Sequence, residues 1–281
     1  MRKRILRSSA ILASSLSSLV PHGPAKAAEM APASKKIRSS VLTQVDLRPT
    51  SIGLGTTDPP LRPRERFPWK TGIVTTTFWV GEKPSPRNPV PNHTSSWDPA
   101  WAENYGGTDE PDRAKRVNFL PADFVPGQNP FYVALPYNDV GKNGLKAEAS
   151  LVIPWFKEAM QSQWKSVCKG RWIAIRHGSR TVYAQWEDCG PFRTDHWQYV
   201  FGNDRPKPNL NGGAGLDVSP AVRDYLGMAD TDVTDWKFVD FKDVPPGPWA
   251  THGDNNTFVI NKRMEEQRLA KAQDVSGRVV Q

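Results

Sequence analysis

Two aspartates, Asp188 and Asp217, stand where the chain leaves regular structure, and carboxyl groups at such positions can donate or accept protons. Asp188 ends a β-type run at 180–188 and begins the turn sequence Asp-Cys-Gly-Pro-Phe at 188–192. Asp217 follows the glycine-rich stretch 212–215, whose backbone can approach a ligand closely and leave the next side chain accessible. These residues predict an acid–base site formed by two backbone turns.

The pKa values expected for the two aspartates depend on their surroundings. Asp188 lies at the end of the apolar face of the strand 180–188, so partial burial should raise its pKa. Asp217 lies two residues before Ser219, which starts a predicted helix, and a helix N-terminus lowers the pKa of a nearby carboxyl. Burial beside Asp188 would reverse this effect. Each aspartate therefore keeps a structural alternative, in which Asp217 braces the helix start and Asp188 accepts hydrogen bonds from the 189–192 turn.

The segment before Asp188 predicts a β-hairpin. Apolar and polar residues alternate along the runs 171–176 and 180–188, and Gly178-Ser179 between them is typical of a two-residue hairpin loop. Pairing His177 with Arg180 places opposite residues at numbers that sum to 357. The apolar side chains then share one face, with Trp186 directed into the core. The same register puts Cys168 opposite Cys189 and predicts a disulfide, with two buried free thiols as the alternative.

The first 27 residues are typical of a secretory signal. They have a basic start, a short apolar core at 10–20 and Ala25-Lys26-Ala27 before the expected cleavage point; a disordered basic tail is the alternative. The formal charge is +8, and removing the five basic residues of 1–27 leaves +3, which is not a nucleic-acid footprint. The signal predicts export, so we expect a periplasmic or extracellular protein. Its apolar core is too short to be an integral membrane span, and none is expected after cleavage.

The remaining chain predicts few helices and several short strands. Residues 28–66 indicate a disordered arm, 67–250 a folded domain and 251–281 a tail helix. Alternation of polar and apolar residues predicts strands at 72–80, 130–138 and 235–243. Apolar stripes and capping residues predict helices at 146–160 and 219–226, and a charged segment at 261–273 predicts a further helix. In the first strand we expect Val74, Thr76, Phe78 and Val80 to face the core. In the first helix, a stripe that includes Leu151 should be buried, with Pro154 as a kink or a start.

Residues 81–129 form a long insertion in which Trp97, Trp101 and Tyr105 recur every four residues. One packed turn of helix explains this spacing, and an aromatic shelf for sugar rings is the alternative. The whole pattern predicts a small, mostly-β barrel with long connections.

Several motifs resemble the RlpA-like (rare lipoprotein A) family. Residues 188–192 resemble its Asp-Arg-Gly-Pro-Phe signature, 216–219 its Ile-Asp-Leu-Ser stretch, and 133–137, Val-Ala-Leu-Pro-Tyr, its Ala-Leu-Pro segment. The likeness covers about 72–243. It implies a six-stranded double-psi β-barrel with short helices and long loop insertions.

The resemblance also implies action on cell-wall glycans, as in lytic transglycosylases, with Asp217 at the position of the proton donor and Asp188 at that of the second recurring carboxylate. The aromatic residues Trp79, Trp197, Tyr199 and Tyr137 are then candidates to stack on a polysaccharide such as peptidoglycan. His177 and His196 have no evident partner, so no metal and no cofactor is expected. The oligomeric state is left open.

Two alternatives to a glycan-cleaving enzyme remain. The family's His before Leu-Pro is absent, because Tyr132-Val133-Ala134 occupies that place, which favours a non-catalytic, expansin-like binding module. A structural envelope protein is the other reading, and it predicts a filled groove with Asp217 capped by protein groups.

Overall fold

A computed structural model describes residues 66–86, 88–192 and 195–279, the last six of them by backbone alone. The predicted signal at 1–27 and all of the predicted arm except Arg66 lie outside the described residues.

The described chain is built from ten short strands and six α-helices. The strands are β1 Lys70–Thr77, β2 Arg116–Val117, β3 Leu120–Pro121, β4 Tyr132–Ala134, β5 Val140–Gly141, β6 Gly144–Leu145, β7 Arg171–His177, β8 Arg180–Asp188, β9 Leu216–Val218 and β10 Thr231–Phe238. The helices are α1 Trp101–Tyr105, α2 Ala149–Val152, α3 Phe156–Ala159, α4 Trp197–Val200, α5 Pro220–Leu226 and α6 Thr257–Val279. Three 3-10 turns lie at Arg113–Lys115, Phe241–Asp243 and Pro248–Ala250.

Six of the strands close into a barrel in the order β1-β10-β7-β8-β4-β9. The β1–β9 and β4–β8 pairs are parallel, and the other four pairs are antiparallel. Closure leaves no unpaired sheet edge in the barrel. The prediction of a mostly-β barrel is therefore confirmed. The pairs β2–β3 and β5–β6 are separate two-stranded sheets on the connections.

The hairpin of β7 and β8 has the predicted register. His177 lies opposite Arg180, and the ladder continues to Arg171 opposite Trp186. Gly178 has a φ of 56°, the left-handed conformation that a two-residue hairpin turn favours. The predicted apolar face is fully buried and forms one wall of the core. Helix α5 also follows its sequence signals, from the Ser219 cap to Gly227 in the left-handed region.

The core face of β1 is the opposite of the predicted one within the strand. Ile73 and Thr75 are buried, whereas Val74 and Thr76 are only half-buried. Burial of Thr75 costs little because its hydroxyl shares a 2.7 Å hydrogen bond with the Thr234 hydroxyl on the neighbouring strand β10. Phe78 and Val80 are buried as predicted, but they lie beyond β1 in a separate cluster with Trp101 and Tyr132, so they do not report the core face of the strand itself.

Two other elements differ from their predicted bounds. The helix expected at 146–160 is divided into α2 and α3 around Pro154, which has no backbone N–H, and Leu151 is 86% exposed instead of buried. The last barrel strand ends at Phe238, because the chain turns there towards the 3-10 helix Phe241–Asp243. Helix α6 is longer than the predicted 261–273.

Ser219 connects α5 to the barrel, so its removal should destabilise the fold. Its hydroxyl donates to the Pro130 carbonyl oxygen at 2.7 Å and accepts from the Val222 N–H at 3.3 Å. We expect Ser219→Ala to lower the free energy of unfolding by ~1–3 kcal/mol, measured by urea denaturation. Ser150→Ala, which removes an exposed hydroxyl in α2, is the matched control and should stay within ~0.5 kcal/mol of wild type. Equal stability of the two variants would contradict this role of Ser219.

Candidate functional site

Strand β9 directs Asp217 out of the barrel core. Leu216 and Val218 are fully buried, and the alternation of a strand sends the side chain between them to the other face. Asp217 there lines a cleft of about 710 Å³ whose walls come from β1, the insertion and the turn after β8. The cleft reaches the carboxyl group, which is only partly covered. A groove filled by protein groups, as a purely structural barrel predicts, is not observed here.

Asp188 lies beside Asp217 across a single strand. Ala134 of β4 is opposite Asp217 on one side and opposite Asp188 on the other. Neighbouring strands are ~4.8 Å apart, so the two aspartates are roughly 10 Å apart at their Cα atoms. Both side chains line the cleft. The tertiary structure therefore brings together the two predicted carboxylates.

Asp188 is firmly held by the insertion. Its Oδ1 accepts a 2.7 Å hydrogen bond from the Ser96 backbone N–H, and its side chain is buried. Burial raises the pKa of Asp188, while hydrogen bonds from the backbone N–H groups of Ser96 and Cys189 oppose this shift. The carboxylate of Asp188 therefore joins the insertion, through Ser96, to the start of the 189–192 turn, through Cys189.

Asp217 has the stronger perturbation. Burial, followed by the charges of Asp188 and Glu82, raises the pKa of Asp217 to about 7, against the opposing hydrogen bond from the Thr76 hydroxyl to Oδ1. The other oxygen, Oδ2, faces Gly190, where a Cβ atom would lie only 2.9 Å away. Glycine in the 188–192 turn therefore leaves room for this oxygen. The increase in the pKa of Asp217 that burial causes is larger than the decrease expected from the N-terminus of α5.

Glu82 is a third carboxylate in the cleft, which the sequence analysis did not single out. It follows the sharp turn at Gly81 after β1, and Asn92 Nδ2 donates to its Oε2 at 2.9 Å. Burial raises the pKa of Glu82 as well. The sequence signal for Glu82 is weak, since a single acid at the start of a long insertion has no spacing that relates it to Asp217.

The predicted aromatic residues separate into two groups. Trp79 lines the cleft and is half-exposed, so it can offer a face to a ligand. Trp197 packs partly buried against the barrel core and is not among the residues that line the cleft. The interpretation of Trp97, Trp101 and Tyr105 as one packed helix turn holds for Trp101 and Tyr105, which are buried in α1, whereas Trp97 precedes this helix and is partly buried.

The prediction that Tyr199 and Tyr137 belong to the binding surface is wrong. Both are enclosed in the core. The Tyr199 hydroxyl accepts a 2.7 Å hydrogen bond from Trp236 Nε1, and the Tyr137 ring packs edge-on at 5.4 Å from that of Phe201. Their faces are covered by protein, so neither can stack on a sugar.

The expected disulfide is absent, because Cys168 and Cys189 are free thiols in the structure. The β7–β8 ladder ends at Arg171 and Trp186, so the two cysteines lie beyond its register. The Cys189 thiol instead donates to the Tyr137 carbonyl oxygen at 3.2 Å. Burial raises the pKa of both thiols.

Within 66–86, 88–192 and 195–279, no group of His, Cys, Asp and Glu side chains is suited to hold a metal ion. In the same ranges, no helix is sufficiently long and apolar to cross a membrane. No protein-family model matches the chain, and no curated protein matches it significantly. The resemblance to RlpA-like barrels therefore stays a prediction from motifs.

The raised pKa of Asp217 predicts a pH-dependent stability difference. The native state holds this proton more tightly than the unfolded chain, so stability falls as pH rises from about 4, the unfolded pKa, through about 7, the folded pKa. Asp217→Asn lacks this ionisation and should gain stability over wild type as pH rises, by on the order of 1–3 kcal/mol at pH 8. Urea denaturation at pH 4 and pH 8 measures the difference.

Asp232→Asn is the control, because hydrogen bonds lower the pKa of Asp232, so its contribution to stability changes mainly below about pH 4 and little between pH 4 and pH 8. A constant stability difference between Asp217→Asn and wild type across this pH range would contradict the buried, protonated carboxyl.

Proposed function

We propose that this protein is an exported, cell-wall glycan-cleaving barrel of the RlpA-like kind, with double-psi topology and Asp217 as its general acid. The observation that carries the proposal is a carboxyl group at an open cleft whose pKa is raised to about 7. Such an acid keeps its proton near neutral pH, where an ordinary aspartate has lost it. The two parallel strand pairs and the 188–192 and 216–219 motifs support the fold and family parts of the proposal.

The reaction needs only one group that changes its protonation state. The protonated carboxyl of Asp217 donates its proton to the glycosidic oxygen as the bond from that oxygen to the anomeric carbon breaks. A hydroxyl of the same sugar then adds to the anomeric carbon, and the carboxylate accepts its proton. This restores the acid and leaves an anhydro-ended strand, as in the lytic transglycosylases that the motifs resemble.

Each neighbour of Asp217 has a defined part in this scheme. The Thr76 hydroxyl occupies Oδ1, which leaves Oδ2 beside Gly190 as the oxygen for proton transfer. Asp188 and Glu82 raise the pKa of Asp217 by their charge. Asp188 is committed to the Ser96 backbone, so it acts as a positioning residue rather than as a nucleophile.

The cleft suits a neutral, hydroxyl-rich ligand. Its walls carry small hydroxyl and amide side chains together with the indole of Trp79. Its described lining holds the four acids Glu82, Asp188, Asp217 and Asp230 and no basic side chain, so these residues offer no partner to an anionic group. A polysaccharide such as peptidoglycan presents hydroxyls to the polar walls and an apolar ring face to Trp79.

A non-catalytic, expansin-like binding module is the second candidate. The observation in its favour is that no described residue of the cleft is a histidine and that Asp188 is already hydrogen-bonded to backbone. It predicts binding to insoluble wall material without soluble products.

The first experiment separates these functions. The purified protein is incubated with isolated peptidoglycan sacculi, and soluble fragments are identified by mass spectrometry. We expect anhydro-ended fragments from wild type and a loss of at least ~100-fold in Asp217→Asn, because general acid catalysis contributes on that scale. Asp243→Asn, an exposed carboxylate outside the cleft, is the matched control and should retain full activity. Unchanged cleavage in Asp217→Asn would refute the catalytic role, and binding without product would select the expansin-like module.

A second variant tests the protonation state of Asp217. Thr76→Val removes a hydrogen bond that stabilises the charged carboxylate, so the pKa of Asp217 should rise. The alkaline limb of the pH–activity profile should then move upward by about one unit. Thr77→Val is the control, since the Thr77 hydroxyl has no hydrogen-bond partner among the described residues and should leave the limb in place. A shift in the acidic direction for Thr76→Val would contradict the assignment.

A further inference from the structure

A second cavity, of about 500 Å³, adjoins the carboxylate cleft. The two cavities share Ser95 and Ser96 as a common wall, so a ligand that leaves the cleft over these small side chains enters the second cavity directly. The shared wall is fixed in place, because Ser96 is bonded to Asp188 and the Ser95 hydroxyl accepts from the backbone N–H groups of Trp97 and Asp98. The two cavities are therefore neighbours on either side of a fixed wall.

The second cavity contains the most exposed tryptophan of the protein. Trp164 is 67% exposed, whereas the other ten tryptophans are buried or half-buried. Its neighbour across the cavity, Trp97, is held by a 2.9 Å hydrogen bond from Nε1 to Asn138 and by packing at 5.5 Å on Trp186. The exposed indole of Trp164 lines the cavity opposite the anchored Trp97, so it can offer a face to a ligand with an apolar surface.

The charges of the cavity are largely compensated. Lys169 lies 3.7 Å from Asp98, and it also stabilises the charge of the buried Glu187 behind the wall. Asp98 is itself held by Asn104 and Gln128. The Lys165 ammonium donates to the neutral Oε1 of Gln161 at 2.6 Å, so it keeps its positive charge. One cation beside polar groups and an indole face accommodates an uncharged sugar ring.

We propose that the cavity beside Trp164 is a distal subsite for the same glycan strand that occupies the carboxylate cleft. This inference rests on the proposed glycan-binding function and adds the substrate class: an uncharged, polymeric glycan long enough to span both cavities, with one sugar ring stacked on Trp164. Short oligosaccharides fill the cleft alone and gain nothing from this residue.

The test measures binding as a function of chain length. Chitin oligosaccharides from the disaccharide to the octasaccharide are titrated by calorimetry into full-length Asp217→Asn protein, which does not cleave them in the proposed mechanism. In this background, adding Trp164→Ala should weaken binding of the longest oligosaccharides about tenfold and leave the shortest unchanged. Trp164→Phe, which keeps a ring, should recover part of the loss.

Leu151→Ala in the same background is the control, because Leu151 is 86% exposed and lies outside both cavities. Equal affinity of Trp164→Ala and its parent for every length overturns the subsite, as does an equal loss for short and long chains. The two proposals fail in different ways. Asp217-dependent cleavage of sacculi with no effect of Trp164 rejects the subsite alone, whereas length-dependent binding through Trp164 without cleavage rejects only the catalytic function. No binding of any oligosaccharide rejects the subsite, and cleavage of sacculi alone then decides the catalytic function.

Discussion

The closure of the barrel by β9 is the constraint on which the site depends. This strand has only three residues, yet it pairs with β1 in parallel and with β4 in antiparallel orientation. Leu216 and Val218 must enter the core to close the barrel, so Asp217 between them must face outward. The same pairing sets Asp217 beside Thr76 and one strand away from Asp188. A change in the register of β9 by one residue would bury the Asp217 carboxyl in the core and remove it from the cleft.

The long insertion supplies the second constraint, because it turns an exposed strand end into an enclosed cleft. Its Ser96 N–H binds Asp188, and its first acid, Glu82, faces the same space. Covering the two aspartates removes water from them, and this desolvation is the largest cause of their raised pKa values. The insertion therefore holds Asp188 in place and, by excluding water, raises the pKa of Asp217. It also carries Ser95 and Ser96, the wall common to both cavities.

An acid that is held protonated by burial conflicts with maximal stability, and this conflict is informative about function. Ionisation of Asp217 above its raised pKa opposes folding, and a hydrophobic residue or an amide would avoid that penalty. Glu187 is a second buried acid whose pKa is raised to about 7, but Lys169 lies near it and it does not line either cavity. Asp217 and Glu187 thus differ in access, since Asp217 lines the cleft and Glu187 lines neither cavity.

The sequence by itself determined the features that depend on neighbouring residues. The β7–β8 register follows from a two-residue loop and strict alternation, α5 from its Ser219 cap and terminal Gly227, and the two aspartates from the turns that they border. The tertiary structure decided what depends on distant segments. Glu82 and Trp164 reach the groove through packing of connections, Tyr137 and Tyr199 are covered by rings from elsewhere in the chain, and the cysteines lie past the end of their ladder. Local patterns fix backbone direction and parity, whereas the Ser96–Asp188 contact joins residues 92 positions apart, and no periodicity in the sequence encodes which surfaces such a contact will enclose.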